Sequence, residues 1–285
     1  GGRIALDGTV FYPEGGGQPY DTGVLGEANV LEVHEKNGVI THLCDKPFEV
    51  GKSVSGKIDW ARRFDHMQQH SGEHICSGLI CERFHCDNVG FHMGADVVTI
   101  DFNADISWDE LMEIEQLANL YIYEDHPIDI QFYRGAELDK VEYRSKKPLE
   151  GDVRIVSFPG ADCCACCGTH VVRSGQVGLV KFLSVQKFRD GVRIELLSGK
   201  RAHRYLSECW AQDVRIAQAL SVKPNASFAG VERVLAELSA LKQRCAKLEE
   251  SVFAQTAAQY AGKEVVALPI EATALGNLKI QREIR

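Results

Sequence analysis

The chain has 285 residues, a formal net charge of −8 and a hydrophobic fraction of 45 %. That length suits two domains, and no run approaches the roughly 18 apolar residues of a membrane-spanning helix. We find no secretory signal, and ten cysteines are too sparse for a disulfide scaffold. We therefore expect a cytoplasmic protein without a membrane partner, whose cysteines bind metal or stay reduced. The acidic total disfavours nucleic-acid binding, but the basic stretch 181–204 can still contact phosphates.

Residues 1–58 predict a small β-barrel, because short alternating runs are split there by Gly, Pro, Asp and Asn turns. The segment FYPEGGGQPYDTG carries Gly15, Gly16 and Gly17 in succession, and such a run permits positive φ and close backbone approach. A wide hairpin loop is the plainer interpretation. Neither a P-loop nor the GxGxxG spacing is present, so ATP and other nucleotide cofactors are not implied.

Residues 59–204 predict an α+β domain with a mostly antiparallel sheet. Helical periodicity runs through WARRFDHMQQHSGEHICSGLICERF, and a second, amphipathic helix begins at a capping box formed by Ser107 and Glu110. Strand-like runs such as VRIVSF and GVRIELLS follow. The whole chain is therefore expected to be α+β: a small N-terminal β-barrel, an α+β domain and a helical C-terminal segment.

Residues 205–262 predict a helical, coiled-coil-like segment. Apolar residues from Val231 to Val252 recur at alternating steps of three and four, which is a heptad seam. It predicts either a homodimer through the C-terminal region or a helical hairpin packed on itself. Residues 263–285 are expected to begin a further domain.

Two groups of residues in the middle domain are candidate metal ligands. His66, His70 and His74 are spaced i, i+4, so neighbouring pairs share a helix face, and Cys166 and His170 show a similar spacing in CCGTH. Thiolate plus imidazoles favours zinc. Three assignments are open: a set of three histidines and one cysteine, a cysteine-only site in CCACC, and the metallopeptidase pattern H-x-x-E-H with Glu73 as base. Four thiolates within five residues can hardly surround one ion.

The segments HMQQHSGEHI and CCGTHV resemble the HxxxH helix and the CxGTHV signature of alanyl-tRNA synthetase editing domains and of free-standing AlaX trans-editing proteins. DGTVFYPEGGGQPYDTG and GVRIELLSGKRAH are similar to two further stretches of that family, in the same order. The resemblance covers about residues 5–203, and the long AlaX form is the best match. It implies one Zn²⁺ per chain, held by His66, His70, Cys166 and His170, whereas Cys163, Cys164 and Cys167 depart from the synthetase pattern.

The resemblance implies a hydrolase that removes wrongly attached serine or glycine from the tRNA for alanine, so mischarged tRNA is the expected partner. By register, Asn88 falls at a polar position of the amino-acid pocket, and His92 is expected to face it too. The glycine run is expected to lie near the acceptor end of the tRNA. Phosphate contacts are expected from four basic residues: Arg62, Arg63, Lys200 and Arg201. The alternatives are a peptidase of the H-x-x-E-H type and a zinc-stabilised RNA-binding module without catalysis.

Overall fold

The structure, a computed structural model, describes residues 2–145 and 151–263. The chain divides into two compact units, Gly1–Ser207 and Glu208–Arg285. The further domain expected at 263–285 lies, apart from Lys263, outside the described residues. The division into barrel, middle domain and helical segment stays a prediction.

The N-terminal segment forms an open, five-stranded antiparallel sheet in the order β1-β4-β3-β2-β5. The strands are β1 (Gly2–Ala5), β2 (Gly23–Leu25), β3 (Ala28–Lys36), β4 (Val39–Cys44) and β5 (Gly56–Ile58). The expected closed barrel is wrong. Among the described residues β1 pairs with β4 and β5 pairs with β2, so these two short strands remain sheet edges.

The remaining strands build two smaller antiparallel sheets, whereas the sequence predicted one mostly antiparallel sheet. A four-stranded sheet has the order β11-β12-β7-β6 and a three-stranded sheet the order β10-β9-β8. Their strands are β6 (Asn88–Met93), β7 (Val98–Phe102), β8 (Asp129–Arg134), β9 (Asp152–Phe158), β10 (Asp162–Ala165), β11 (Val180–Phe188) and β12 (Gly191–Ser198).

Helix α1 (Trp60–Phe84) runs through the middle of this unit and contacts β10, β12 and the second helix. It begins at Asp59, whose side chain accepts a hydrogen bond from the Arg62 backbone N–H, and ends at His85 in the left-handed conformation. The helix approaches the start of β10 closely at Gly78, where a Cβ would lie 2.0 Å from the Ala161 carbonyl oxygen. Glycine at this point therefore allows α1 to lie directly against the cysteine-rich strand.

Helix α2 (Trp108–Tyr123) contacts α1 and β11 and contributes to the same core. Its predicted capping box is confirmed: the Glu110 backbone N–H donates to Ser107 Oγ, and the Ser107 N–H donates to the Glu110 carboxylate. The shared core consists of apolar side chains from α1, α2 and the two sheets, among them Ile75, Ile100, Ile114, Phe158 and Phe182.

Two long helices follow, α3 (Gly199–Leu220) and α4 (Ser227–Tyr260). The heptad seam predicted for α4 lies on a helix as expected. Its valine and leucine side chains are between 37 % and 57 % exposed within this chain. The described residues therefore leave the seam uncovered, and self-association through it stays a prediction.

Candidate metal centre

Four side chains with metal-binding atoms meet at one point. His70 and His74 lie on successive turns of α1, and Cys166 and His170 follow strand β10. One ligand atom from each residue lies within 4.8 Å of the other three. The imidazoles are 2 %, 3 % and 5 % exposed, and Cys166 is half-buried. One thiolate with three imidazoles is a donor set that suits zinc.

Unpaired polar atoms in the cluster support this interpretation. His74 Nε2 and both ring nitrogens of His170 are buried and have no hydrogen-bond partner among the described residues. Such atoms cost free energy unless something satisfies them, and a coordinated metal would do so. Cys166 Sγ lies 3.5 Å from His70 Nε2 and accepts a hydrogen bond from the Gly168 N–H at 3.3 Å. The residues present therefore fit a zinc ion.

A buried carboxylate fixes the orientation of His74. Asp162 Oδ2 lies 2.8 Å from His74 Nδ1, and Arg144 donates to both Asp162 oxygens at 2.7 and 2.8 Å. His74 and Arg144 together hold the pKa of Asp162 below its usual value although burial raises it. The ionised carboxylate accepts a hydrogen bond from the Nδ1–H group, which leaves Nε2 directed to the cluster.

The electrostatics favour the ligand forms of Cys166 and His170. Burial raises the pKa of the Cys166 thiol, but the neighbouring imidazoles of His70, His170 and His74 outweigh it and hold that pKa well below the usual range. Burial lowers the pKa of His170 to about 3. Burial also disfavours charge on His74, yet Asp162 brings its pKa well above the ordinary value. A metal would therefore meet a thiolate and a neutral imidazole, and would displace a proton from His74.

The group of converging side chains differs from the predicted ligand set at one position, since it contains His74 and not His66, and the identity of the ligands stays a prediction. His66 is absent from the ligand group. It lines a separate cavity of about 410 Å³ together with Arg62, Lys200 and Arg204. Burial and the charge of Arg62 lower the pKa of His66 to about 4. In each i, i+4 pair the two histidines share a helix face, but only the pair of His70 and His74 meets the loop after β10.

The other cysteines of the stretch do not join the four-ligand group. Cys163 and Cys164 are neighbours in β10 and therefore face opposite sides of the strand. Cys164 Sγ belongs to a second, overlapping group in which it lies within 4.8 Å of His74 and Asp162 atoms. Cys167 is exposed, and all of these thiols are free.

The two residues expected in the amino-acid pocket have different surroundings. Asn88 is 6 % exposed, and its Nδ2 donates to Glu73 Oε1 at 2.7 Å and to Ser77 Oγ at 2.8 Å. Asn88 also lines a cavity of about 690 Å³ with Cys164. His92 is exposed and lines a different cavity beside the glycine turn. The base of the peptidase pattern, Glu73, thus already accepts hydrogen bonds from Asn88 and Ser77 at one oxygen.

The glycine run forms a tight turn that lies against strand β6. The backbones of Gly15 and Gln18 exchange two hydrogen bonds of 3.1 and 3.0 Å, and Gly16 and Gly17 have φ of 58° and 83°. A Cβ on Gly17 would lie 2.5 Å from the Phe91 ring. Glycine at that position therefore serves contact with the protein itself, and a role for the run in binding tRNA stays a prediction.

Two of the four basic residues expected to contact tRNA are held by internal carboxylates. Arg63 forms an ion pair with the fully buried Asp21 and also donates to a backbone carbonyl. Arg201 is 9 % exposed and donates to both oxygens of Asp65. Their first role is to join α1 to the N-terminal segment and to α3. Arg62 and Lys200 both line the His66 cavity.

Sequence reasoning missed Gln18 and Asp162, which contact the two α1 ligands from segments distant in sequence. Gln18 Oε1 lies 2.8 Å from His70 Nδ1, across 52 positions of sequence, and Asp162 contacts His74 across 88. An acidic residue four positions before the liganding cysteine is the only local signal, since a glutamine after a glycine turn carries none.

Two families of tRNA synthetase domains match the chain. Residues 1–62 match the class II (A) tRNA synthetases, and residues 153–195 match the threonyl and alanyl tRNA synthetase second additional domain. The second match contains two of the cluster residues, Cys166 and His170. Two segments of the chain are thus similar to domains found in tRNA synthetases. No described helix is both long enough and apolar enough to cross a membrane.

Comparison with individual proteins identifies the family to which the chain belongs. The chain is 31 % identical over 268 residues to alanyl-tRNA editing protein Aarsd1-A of Xenopus laevis, covering 92 % of this chain and 65 % of the relative. It is 31 % identical over 296 residues to alanyl-tRNA editing protein AlaX-L of Pyrococcus horikoshii, covering 98 % and 69 %. An alanine–tRNA ligase of Pyrococcus abyssi is 34 % identical over 88 % of this chain and 29 % of the ligase. The chain belongs to the alanyl-tRNA editing protein family and spans about two thirds of the length of these editing relatives.

Proposed function

We propose that this chain hydrolyses the ester between serine or glycine and the tRNA for alanine at one zinc ion held by His70, His74, Cys166 and His170. The observation that carries the proposal is the convergence of these four ligands in a member of the alanyl-tRNA editing family. When bound, zinc would polarise the ester carbonyl or orient the amino acid and the terminal adenosine.

The chain's own residues position the substrate and limit access of water. The three imidazoles are nearly fully buried, and Cys166 is the most exposed member of the set. The aminoacyl end therefore approaches from the thiolate side. An aminoacyl ester is an activated acyl group, so positioning it next to the cluster accounts for a large share of the rate.

Asn88 supplies specificity in this proposal. Its Nδ2 is used by Glu73 and Ser77, and its Oδ1 is buried and has no partner among the described residues. Oδ1 can therefore only accept a hydrogen bond, for which the seryl hydroxyl or an aminoacyl ammonium is a suitable donor. A site that bonds a hydroxyl discriminates against an analogue lacking it, because its buried polar atom would stay unpaired. Alanine lacks this hydroxyl, and so does glycine, so the Asn88 contact accounts for the preference for serine over alanine only.

The His66 cavity is the proposed contact for tRNA phosphates. Arg62, Lys200 and Arg204 line it, with Asp65 as the acidic neighbour. Asp65 is already bonded to Arg201, so Arg62 and Lys200 give the cavity a positive character. His66 lies one helical turn before His70 on α1, which brings a phosphate there close to an ester at the cluster. Such contacts would allow an acidic protein to bind RNA locally.

A deacylation panel tests the proposal. Seryl-, glycyl- and alanyl-tRNA for alanine are incubated with the wild-type protein and with Cys166→Ala, and zinc content is measured alongside. We expect hydrolysis of the seryl or glycyl ester, sparing of the alanyl ester, and loss of both hydrolysis and zinc in the variant. Zinc-dependent RNA binding without hydrolysis would favour the non-catalytic module, and zinc-dependent peptide cleavage the peptidase.

A further inference from the structure

Gln18, the residue that follows the glycine run, has no role in the chemistry proposed above. Gln18 is fully buried although it belongs to the N-terminal segment. Its side chain contacts Thr169 in the loop between Cys166 and His170, and it also contacts His70 on α1. A buried amide must have its hydrogen bonds satisfied, so these contacts define its orientation.

The backbone of Thr169 decides which way the amide of Gln18 points. The Thr169 N–H donates at 3.1 Å to Gln18 Oε1, and a backbone N–H can only donate. Gln18 Nε2 then donates to Thr169 Oγ1 at 2.8 Å. The reverse orientation would place two donors against each other. Oε1 therefore faces His70 as an acceptor.

This orientation fixes the tautomer of His70. Gln18 Oε1 lies 2.8 Å from His70 Nδ1, so Nδ1 carries the proton and donates a hydrogen bond to Oε1. The lone pair of the neutral ring is then on Nε2, the atom 3.5 Å from Cys166 Sγ. A ligand histidine with its second nitrogen bonded in this way keeps both its ring orientation and its basicity.

Close contacts on both sides hold the His70 ring and the turn that delivers Gln18. The Phe91 ring lies 4.9 Å from the His70 ring, centroid to centroid, and the Gly17 carbonyl accepts a hydrogen bond from the Met93 N–H at 3.1 Å. On the other side, a Cβ on Gly168 would lie 2.1 Å from His70 Cε1. The turn is therefore anchored on β6 next to the ring it contacts.

We propose that Gln18 is a positioning residue for the metal ligand His70, so that the N-terminal segment completes the metal centre. The inference rests on the proposed zinc site. The two α1 ligands then differ in the side chain that bonds Nδ1 of the ring. His74 has the carboxylate of Asp162, and His70 has the neutral amide of Gln18 from the N-terminal segment. The glycine run acts in this view by bringing Gln18 to the ring.

The test measures zinc affinity by competition with a chromogenic chelator in Gln18→Leu, Gln18→Glu and the wild type. Loss of an outer hydrogen-bond partner of a ligand typically weakens metal binding by roughly 10–100-fold, and we expect that loss in Gln18→Leu. Gln18→Glu keeps the acceptor oxygen and should bind zinc within a few-fold of the wild type. Long-range ¹H–¹⁵N NMR of the zinc-loaded wild type should find the His70 proton on Nδ1.

Gln69→Leu is the matched control. Gln69 is also a fully buried glutamine of the same unit, and it bonds the backbone of Ser198 through both amide atoms. Gln69→Leu should lower the thermal stability of the metal-free protein. Any decrease in its zinc-binding free energy should not exceed this loss of folding stability. Wild-type zinc affinity in Gln18→Leu, or equal weakening in Gln69→Leu, would overturn the inference while leaving the proposed function intact. A wild type that binds no zinc would instead remove the proposed function.

Discussion

Replacing His74 by alanine should release the metal, whereas replacing His66 should leave it bound. The two histidines flank His70 at the same spacing on one helix, so each variant controls for the other. Zinc sites of four protein ligands bind with about 10–16 kcal/mol, or roughly 2.5–4 kcal/mol per ligand. Loss of His74 should therefore weaken binding by about two to three orders of magnitude.

His66 offers no ligand atom to the group within which the other four atoms converge. Its Nδ1 is buried and has no partner among the described residues, so truncation leaves no bonded group unsatisfied. In the His74 variant, by contrast, Asp162 keeps only its bonds to Arg144. We therefore expect unchanged zinc affinity in His66→Ala.

Zinc content after dialysis, measured by mass spectrometry, and competition with a chelator report the two affinities. Circular dichroism and thermal unfolding with and without zinc confirm that each variant folds. Equal zinc loss in both variants would refute the assignment made from the structure. Wild-type affinity in His74→Ala with zinc loss in His66→Ala would restore the set predicted from the sequence.

Four further outcomes follow from the same contacts. Glu73→Gln should leave deacylation nearly intact, because Oε1 of glutamine can accept the same hydrogen bonds; a loss of several orders of magnitude would support the peptidase base. Lys200→Ala should weaken tRNA binding and reduce the salt slope by about 0.7–0.9, while Lys187→Ala, which is outside the His66 cavity, should not. Since burial lowers the pKa of His66 from 6.5 to about 4, its neutral form contributes stability above pH 6.5 that is lost as the pH falls towards 4; unfolding curves of His66→Ala should show a shallower loss. A chain ending at 207 should sediment as a monomer at concentrations where the full chain self-associates through α4 (Ser227–Tyr260), and equal sedimentation as monomers would place the seam within one chain.

Local signals in the sequence predicted the helices well. The periodic stretch 60–84 is a helix with those bounds, and the capping box of Ser107 and Glu110 forms as expected. Both depend on interactions within a few residues, which the sequence displays directly. The closed barrel failed for the opposite reason. Closure needs β1 to pair with β5, strands more than fifty residues apart, and no local pattern reports such pairing.

The choice between His66 and His74 was also beyond the sequence pattern. Spacing of i, i+4 places the two histidines of either pair on one helix face. The rotation of α1 about its axis relative to β10 decides whether His66 or His74 joins His70 beside Cys166 and His170. That rotation is set by tertiary contacts, including the approach at Gly78. The outer partners of the ligands come from distant segments too, and so the sequence did not identify them.

The alternation of β10 accounts in part for the presence of a single cysteine of this stretch in the four-residue group. Cys163 and Cys164 lie within β10 and face opposite sides, whereas Cys166 follows the strand and Cys167 is exposed. The difference matters for the chemistry. Four thiolates would give a zinc site a net charge of about −2, but one thiolate with three neutral imidazoles leaves about +1. Only the second can attract a carbonyl oxygen or an amine lone pair, which is the interaction that positioning an aminoacyl ester requires.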